Sequence, residues 1–166
     1  MIKEVRVDDR LIHGQIALTW PKALHVSHIV VANDKASANK MQQMTLKMAV
    51  PTGIKVLIRS VEDTISLFAN EKAQQIDMMV IVSSVADANT LVKSLGKLIS
   101  RVNIANSGRF DGIDNSKKKK LGSSLVLSEA ELNAAKDIVA SGINTVHQVV
   151  PEDQAKKFDD ILKAAD

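Results

Sequence analysis

Short apolar runs rich in β-branched residues alternate along this chain with segments of helical period, which restricts it to a small set of α/β folds. The runs at residues 2–7, 27–32, 55–59, 77–82, 101–104, 124–127 and 145–149 read as strands. Most are short and nearly continuous in apolar character, as strands covered on both faces are. The expected architecture is an open, largely parallel, seven-stranded α/β sheet with helices on both faces. No low-complexity linker or internal repeat interrupts the alternation, and 166 residues suit a single domain spanning 1–166.

The intervening helices are marked by their ends. Ser60 with Asp63, Ser84 with Asp87 and Ser128 with Glu131 each offer a capping hydroxyl and, three residues on, a carboxylate that can bond back or favour the helix dipole. Leu132, Ala135, Ile138 and Val139 then line one apolar face before Gly142, a C-terminal stop. Met41, Met44 and Met48 recur at helical spacing and are expected in the core, the alternative being a partner-facing helix. The last helix is expected from about Glu152, after Pro151, burying Ala155, Phe158, Ile161 and Leu162.

Chemistry concentrates after the first strand, where Asp8 and Asp9 lead into Arg10-Leu11-Ile12-His13-Gly14-Gln15 and then the helical Ile16-Ala17-Leu18-Thr19-Trp20. Open α/β sheets bind ligands at the carboxyl ends of their strands, where helix amino termini offer N–H groups to anions. A cationic Arg10, a flexible Gly14 and a titratable His13 converge there, a suitable place for a phosphoryl group. Imidazole is a good nucleophile near neutral pH, and its phosphorylated form passes phosphate onward readily. Arg10 can clamp the phosphoryl oxygens and the backbone from His13 to Gln15 can form an anion-accepting turn. Asp8 or Asp9 can orient the imidazole or tie Arg10 in place. The same rim should carry Asn33 and Asp34 after the second strand and Ser83 and Ser84 after the fourth; helix capping explains Ser84 equally well.

Other chemistries lack their parts. There is no Gly-rich loop ending in Gly-Lys-Ser/Thr, no Gly-x-Gly-x-x-Gly after a strand and no His-Glu-x-x-His. With no cysteine, and with His25, His28 and His147 at no ligand spacing, no metal and no cofactor are implied. One Trp, three Phe and no Tyr argue against nucleic acid, and Lys117, Lys118, Lys119 and Lys120 read as a solvated loop. There is no apolar run long enough to span a bilayer and no signal-peptide pattern at the amino terminus, so a cytoplasmic location is expected. Three rivals remain to a phosphocarrier: a histidine phosphatase or mutase, a non-catalytic domain that binds a phosphorylated protein, and a receiver domain phosphorylated on aspartate. Leu11 and Ile12 interrupt the Arg-His-Gly run of the first, and the third strand ends in Arg59 where a receiver needs an acceptor aspartate.

The segment Val7-Asp8-Asp9-Arg10-Leu11-Ile12-His13-Gly14-Gln15 resembles the IIB subunits of the mannose/fructose/sorbose class of the bacterial sugar phosphotransferase system. The similarity continues through Trp20, Ile29-Val30-Val31-Ala32-Asn33-Asp34 and Gln148-Val149-Val150-Pro151, spanning essentially the whole chain. It implies a phosphohistidine at His13, charged from a phosphohistidine of a phosphorylated IIA protein or domain and discharged to a sugar entering through IIC and IID membrane subunits. Arg10 carries over as the positive group beside the phosphate. The segment Asn103-Ile104-Ala105-Asn106-Ser107-Gly108-Arg109-Phe110 departs from the Asn-x-Gly-x-Met pattern of many relatives, and Arg109 could supply a second cation near the partner. The protein is then expected to associate peripherally with its membrane subunits, and a homodimer is left open.

Overall fold

Strand β1 (Ile2–Asp8) lies inside the sheet, paired in parallel with β4 (Met78–Val82) on one side and β5 (Val102–Asn106) on the other. The computed structural model describes residues 1–14 and 16–166. Beyond β4 lie β2 (His28–Ala32) and then β3 (Lys55–Arg59); beyond β5 lie β8 (Thr145–His147) and β9 (Lys156–Lys157). All pairs are parallel except β8 with β9. The chain leaves β1 toward β2 and leaves β5 toward β8, in opposite directions. Between them is the switch point at which open α/β sheets form their crevice.

Both faces are covered, which explains the apolar runs. Val30, Val80, Val5, Val7 and Ile104 pack beneath α4 (Val61–Leu67), α6 (Val85–Leu95), α7 (Glu129–Ala140) and α8 (Phe158–Ala165). On the other face Ile29, Val31, Met79 and Ile81 pack beneath α1 (Ile16–Leu24), α2 (Asp34–Ser37) and α3 (Lys40–Met48). A short helix, α5 (Glu71–Gln74), precedes β4.

The expected capping hydroxyls are in place: Ser60, Ser84 and Ser128 accept from Asp63, Asp87 and Glu131 N–H at 3.0, 3.1 and 3.3 Å. Ser128→Ala should destabilise the protein by about 1 kcal/mol in urea unfolding; an unchanged midpoint would show that water replaces the cap without loss. Glu131 does not bond back to its own cap. It reaches across to the amino terminus of α6 and accepts Val85 N–H at 3.0 Å and Ala86 N–H at 2.7 Å, tying α7 to α6.

Four expectations change in detail. Residues 124–127 form a strand, β7 (Leu125–Leu127), but it pairs antiparallel with β6 (Lys119–Gly122) outside the main sheet, and β9 is the seventh main strand. The segment from 107 to 118 is turn and loop with one 3-10 turn at Asn115–Lys117 and no crossover α-helix, so β7 meets the end of β5 only at the single parallel bridge of Leu125 with Ser107. The final helix starts at Phe158 and not near Glu152. Pro151 to Gln154 turn, with Gln148 Nε2 donating to the Pro151 and Asp153 carbonyls, and Ala155 is exposed. Met41, Met44 and Met48 are not core: they are 78%, 65% and 84% exposed, because Leu46 on the opposite side of α3 takes the buried position. Finally, Lys118 is not simply solvated. Its Nζ bonds the Gly108 carbonyl and Asp111, while Lys117, Lys119 and Lys120 are exposed.

Candidate functional site

From Glu4 onward β1 alternates polar and apolar residues, and in a sheet covered on both faces that alternation buries a row of charge: Glu4, Arg6 and Asp8 are all fully buried. Buried charges must be paired. Arg6 donates to Asp8 Oδ2 through Nη2 at 3.2 Å and to the Val149 carbonyl at 3.0 Å. Arg101 Nε donates to Glu4 at 2.7 Å. Trp20 of α1 covers both guanidiniums, 5.3 Å from Arg6 and 5.6 Å from Arg101, and its indole N–H donates to the Val149 carbonyl at 3.1 Å. Burial pushes the Arg6 guanidinium below its ordinary range, opposed mainly by the charges of Asp8 and Glu4. Burial likewise raises the Glu4 carboxyl, opposed by Arg101 and then Arg6. The late segment Gln148-Val149 therefore acts as a lid of carbonyl acceptors over this network, and Asn103 pins it by exchanging bonds with the Gln148 backbone at 2.9 and 3.0 Å.

At the carboxyl end of β1 the same row presents Asp8. Its Oδ1 accepts the Arg10 amide N–H at 3.1 Å, and its carbonyl accepts from Leu11 N–H at 2.9 Å. Leu11 has φ +58°, a left-handed conformation that costs a branched side chain roughly 1 kcal/mol. Burial of Leu11 and Ile12 in the core beneath α1 offsets that cost. Gly14, at φ +46°, turns the chain into α1, whose first amide N–H donates to the His13 carbonyl at 3.1 Å.

This turn leaves the His13 ring 23% exposed with Nε2 3.1 Å from Asp8 Oδ2. A carboxylate only accepts, so Nε2 is the donor, and in the neutral ring Nδ1 keeps its lone pair. The Arg10 guanidinium is exposed and makes no hydrogen bond or ion pair among the described residues; nor do the amide N–H groups of His13 and Gly14. An imidazole nitrogen with a lone pair, a cation and N–H donors, the last two without partners among the described residues, thus share one short loop.

Of the other residues singled out from sequence, Asp9 neither orients His13 nor ties Arg10. It holds Arg109, accepting from its amide at 3.1 Å and from Nε at 3.0 Å. That bond, more than burial opposes, raises the Arg109 guanidinium. Asp9, Arg10, Asn33, Asp34, Ser83 and Ser84 all line an open cleft of about 730 Å³. The last four serve the fold within it. Asn33 caps α2 and donates to Ser83 Oγ at 2.9 Å, Asp34 accepts Val61 N–H at 2.9 Å, and Ser84 caps α6. Asp87, Asp111 and Glu131 make the far wall of this cleft acidic, which disfavours an anion there; Arg10 lines the cleft and His13 does not. Gln15 lies outside the described residues. No group of side chains suited to a metal ion is found among the described residues, and none of their helices is long and apolar enough to cross a membrane.

Arg6, Glu4, Arg101 and Asn106 were not expected in the site. The signal for the first two is the Glu-Val-Arg-Val-Asp alternation in a strand with two covered faces. Asn106 had none: β1 and β5 pair as Val7 with Ile104 but Asp8 with Asn106, so Ala105 is an extra residue. That bulge turns Asn106 to the face of Asp8, where Nδ2 donates to Oδ2 at 3.0 Å.

Comparison with known proteins places this geometry in a family. Residues 2–166 match the profile of the PTS system sorbose subfamily IIB component. A probable phosphotransferase enzyme IIB component of Streptococcus pyogenes serotype M6 is 49% identical over 152 residues, covering 91% of this chain and 93% of the relative. The mannose-specific EIIAB component of Escherichia coli K12 is 29% identical over 161 residues, which are 97% of this chain and 48% of that longer protein. Among solved structures, the IIBSor domain of the sorbose permease from Klebsiella pneumoniae superposes with a TM-score of 0.89 at 25% identity, covering 100% of this chain and 98% of that one.

Proposed function

This chain belongs to the sorbose subfamily of phosphotransferase-system IIB components, and from that premise we propose that His13 carries the phosphoryl group on Nδ1. The observation that carries this reading is the hold of Asp8 on Nε2, which leaves Nδ1 as the nucleophile in a partly exposed ring, three residues from an exposed Arg10 whose guanidinium has no partner among the described residues. All 166 residues act as one domain.

A IIA protein or domain bearing phosphohistidine docks on the rim. The His13 Nδ1 lone pair forms a bond to phosphorus as the donor's P–N bond breaks, and that electron pair returns to the donor nitrogen. The Nε2 proton stays where it is, shared with Asp8, which stabilises the cationic phosphorylated ring. Arg10 and the His13 and Gly14 N–H groups neutralise the equatorial oxygens, and alignment with charge neutralisation is most of what phosphoryl transfer requires. In the second half-reaction a sugar hydroxyl oxygen, presented by IIC and IID membrane subunits, attacks phosphorus while the Nδ1–P bond breaks. The hydroxyl proton leaves to solvent and His13 returns to its neutral form. The protein works from the cytoplasm, associating peripherally with those subunits.

Incubation with a phosphorylated IIA donor should give one acid-labile, alkali-stable phosphoryl group, and ¹⁵N spectra of the imidazole should assign it to Nδ1. Linkage through Nε2, or label on another side chain, would overturn the reading.

A further inference from the structure

We propose that Asn106 sets how readily His13 gives up its phosphoryl group, by competing with the imidazole for one oxygen of Asp8. The inference rests on the reading of His13 as the phosphoryl carrier. Asp8 Oδ2 receives donors from three side chains: His13 Nε2 at 3.1 Å, Asn106 Nδ2 at 3.0 Å, and Arg6 through Nη2 at 3.2 Å and Nε at 3.4 Å. Among the described residues its other oxygen receives the Arg10 amide alone. A carboxylate oxygen has about two lone-pair directions, so these donors share its charge and each bond is weaker for the presence of the others.

This crowding is built into the strand pairing. In regular pairing Asp8 would lie opposite Ala105 and Asn106 would face away, so that among the described residues the carboxylate would meet Arg6, His13 and the loop amide alone. Arg6 is tied into the core by Trp20 and the Val149 carbonyl. Among these three donors, Asn106 is the one that can be removed without stranding a buried charge or losing the phosphoryl acceptor.

The consequence follows from the charge on the ring. Unphosphorylated His13, with its proton on Nε2, is neutral; phosphorylated on Nδ1 with the Nε2 proton retained, the ring is cationic. A carboxylate freed of Asn106 holds the cationic ring more strongly than the neutral one, favouring the phosphorylated protein and slowing its discharge. A carrier that must both accept and surrender phosphate gains from a carboxylate already partly engaged. Asn106 touches neither phosphate nor sugar and is a positioning residue acting through Asp8.

The test is the equilibrium of phosphoryl exchange with a phosphorylated IIA donor, measured for the parent and for Asn106→Leu, which keeps the volume and removes the donor; Asn106→Ala serves should the leucine variant not fold. The expected result is a shift toward the phosphorylated protein of about threefold to tenfold, a fraction of the worth of one hydrogen bond to a charged group. Discharge to sugar should slow by a similar factor. An unmoved equilibrium with both directions slowed, or a shift toward the unphosphorylated protein, would mean that Asn106 only holds Asp8 in place, and the proposal fails. A parent protein that takes no label on His13 would instead defeat the underlying reading of the site.

Discussion

Replacing His13 with glutamine should lower phosphoryl uptake from a phosphorylated IIA donor by about 10³-fold or more, with no acid-labile label remaining. The other imidazoles are differently placed. His28 begins β2 and His25 lies in the turn before it, at the opposite end of the sheet, and His147, at the carboxyl end of β8, is held through Nδ1 by the Ile104 carbonyl at 2.7 Å and not by a carboxylate. The variant should still fold: the ring is partly exposed, and a glutamine amide can offer Asp8 an N–H in its place, so the loss of stability should stay within about 1 kcal/mol. Uptake and stability measured on the same preparation separate a lost nucleophile from a lost fold. Residual acid-labile label on the variant would move the acceptor to another residue.

The second large effect falls on stability. Arg6→Leu leaves Asp8 buried without its guanidinium and removes one of two donors from each of the Gln148 and Val149 carbonyls, which keep Asn103 Nδ2 and Trp20 Nε1 at 2.9 and 3.1 Å. Breaking a buried ion pair from one side typically costs about 3–5 kcal/mol, which for a chain of this length lowers Tm by roughly 10 °C. The double variant Arg6→Leu/Asp8→Leu should regain part of that loss, because it buries no charge at all, yet remain unable to take up phosphate because Nε2 has lost its acceptor. A single Arg6→Leu variant that melts with the parent would show that the charge row is solvated in a way the burial of its side chains excludes.

The contrast between His13 and Arg6 shows what kind of information a single chain carries. Asp8, Arg10, His13 and Gly14 are legible because they lie within seven residues of one another, and a strand followed by a tight loop allows few arrangements. Arg6 lies only two residues further back, yet its importance rests on Val149, Trp20 and the burial of both sheet faces. The methionines of α3 show the complementary limit. Spacing places Met41, Met44 and Met48 on one side of a helix, but whether that side faces the sheet is decided by Leu46. Asp9 could be read as a partner of either His13 or Arg10 until the loop after β5 folded Arg109 onto it.

The strand and helix alternation, the capping hydroxyls and the tight loop that carries His13 were determined by the sequence alone, because each depends on interactions within one element or one turn. Tertiary structure alone decided the exchange of β7 for β9 in the main sheet, the outward face of α3 and the meeting of Asn106 with Asp8. Those depend on register and on which of two faces is buried first, and a shift of one residue in strand pairing reverses every side chain it touches.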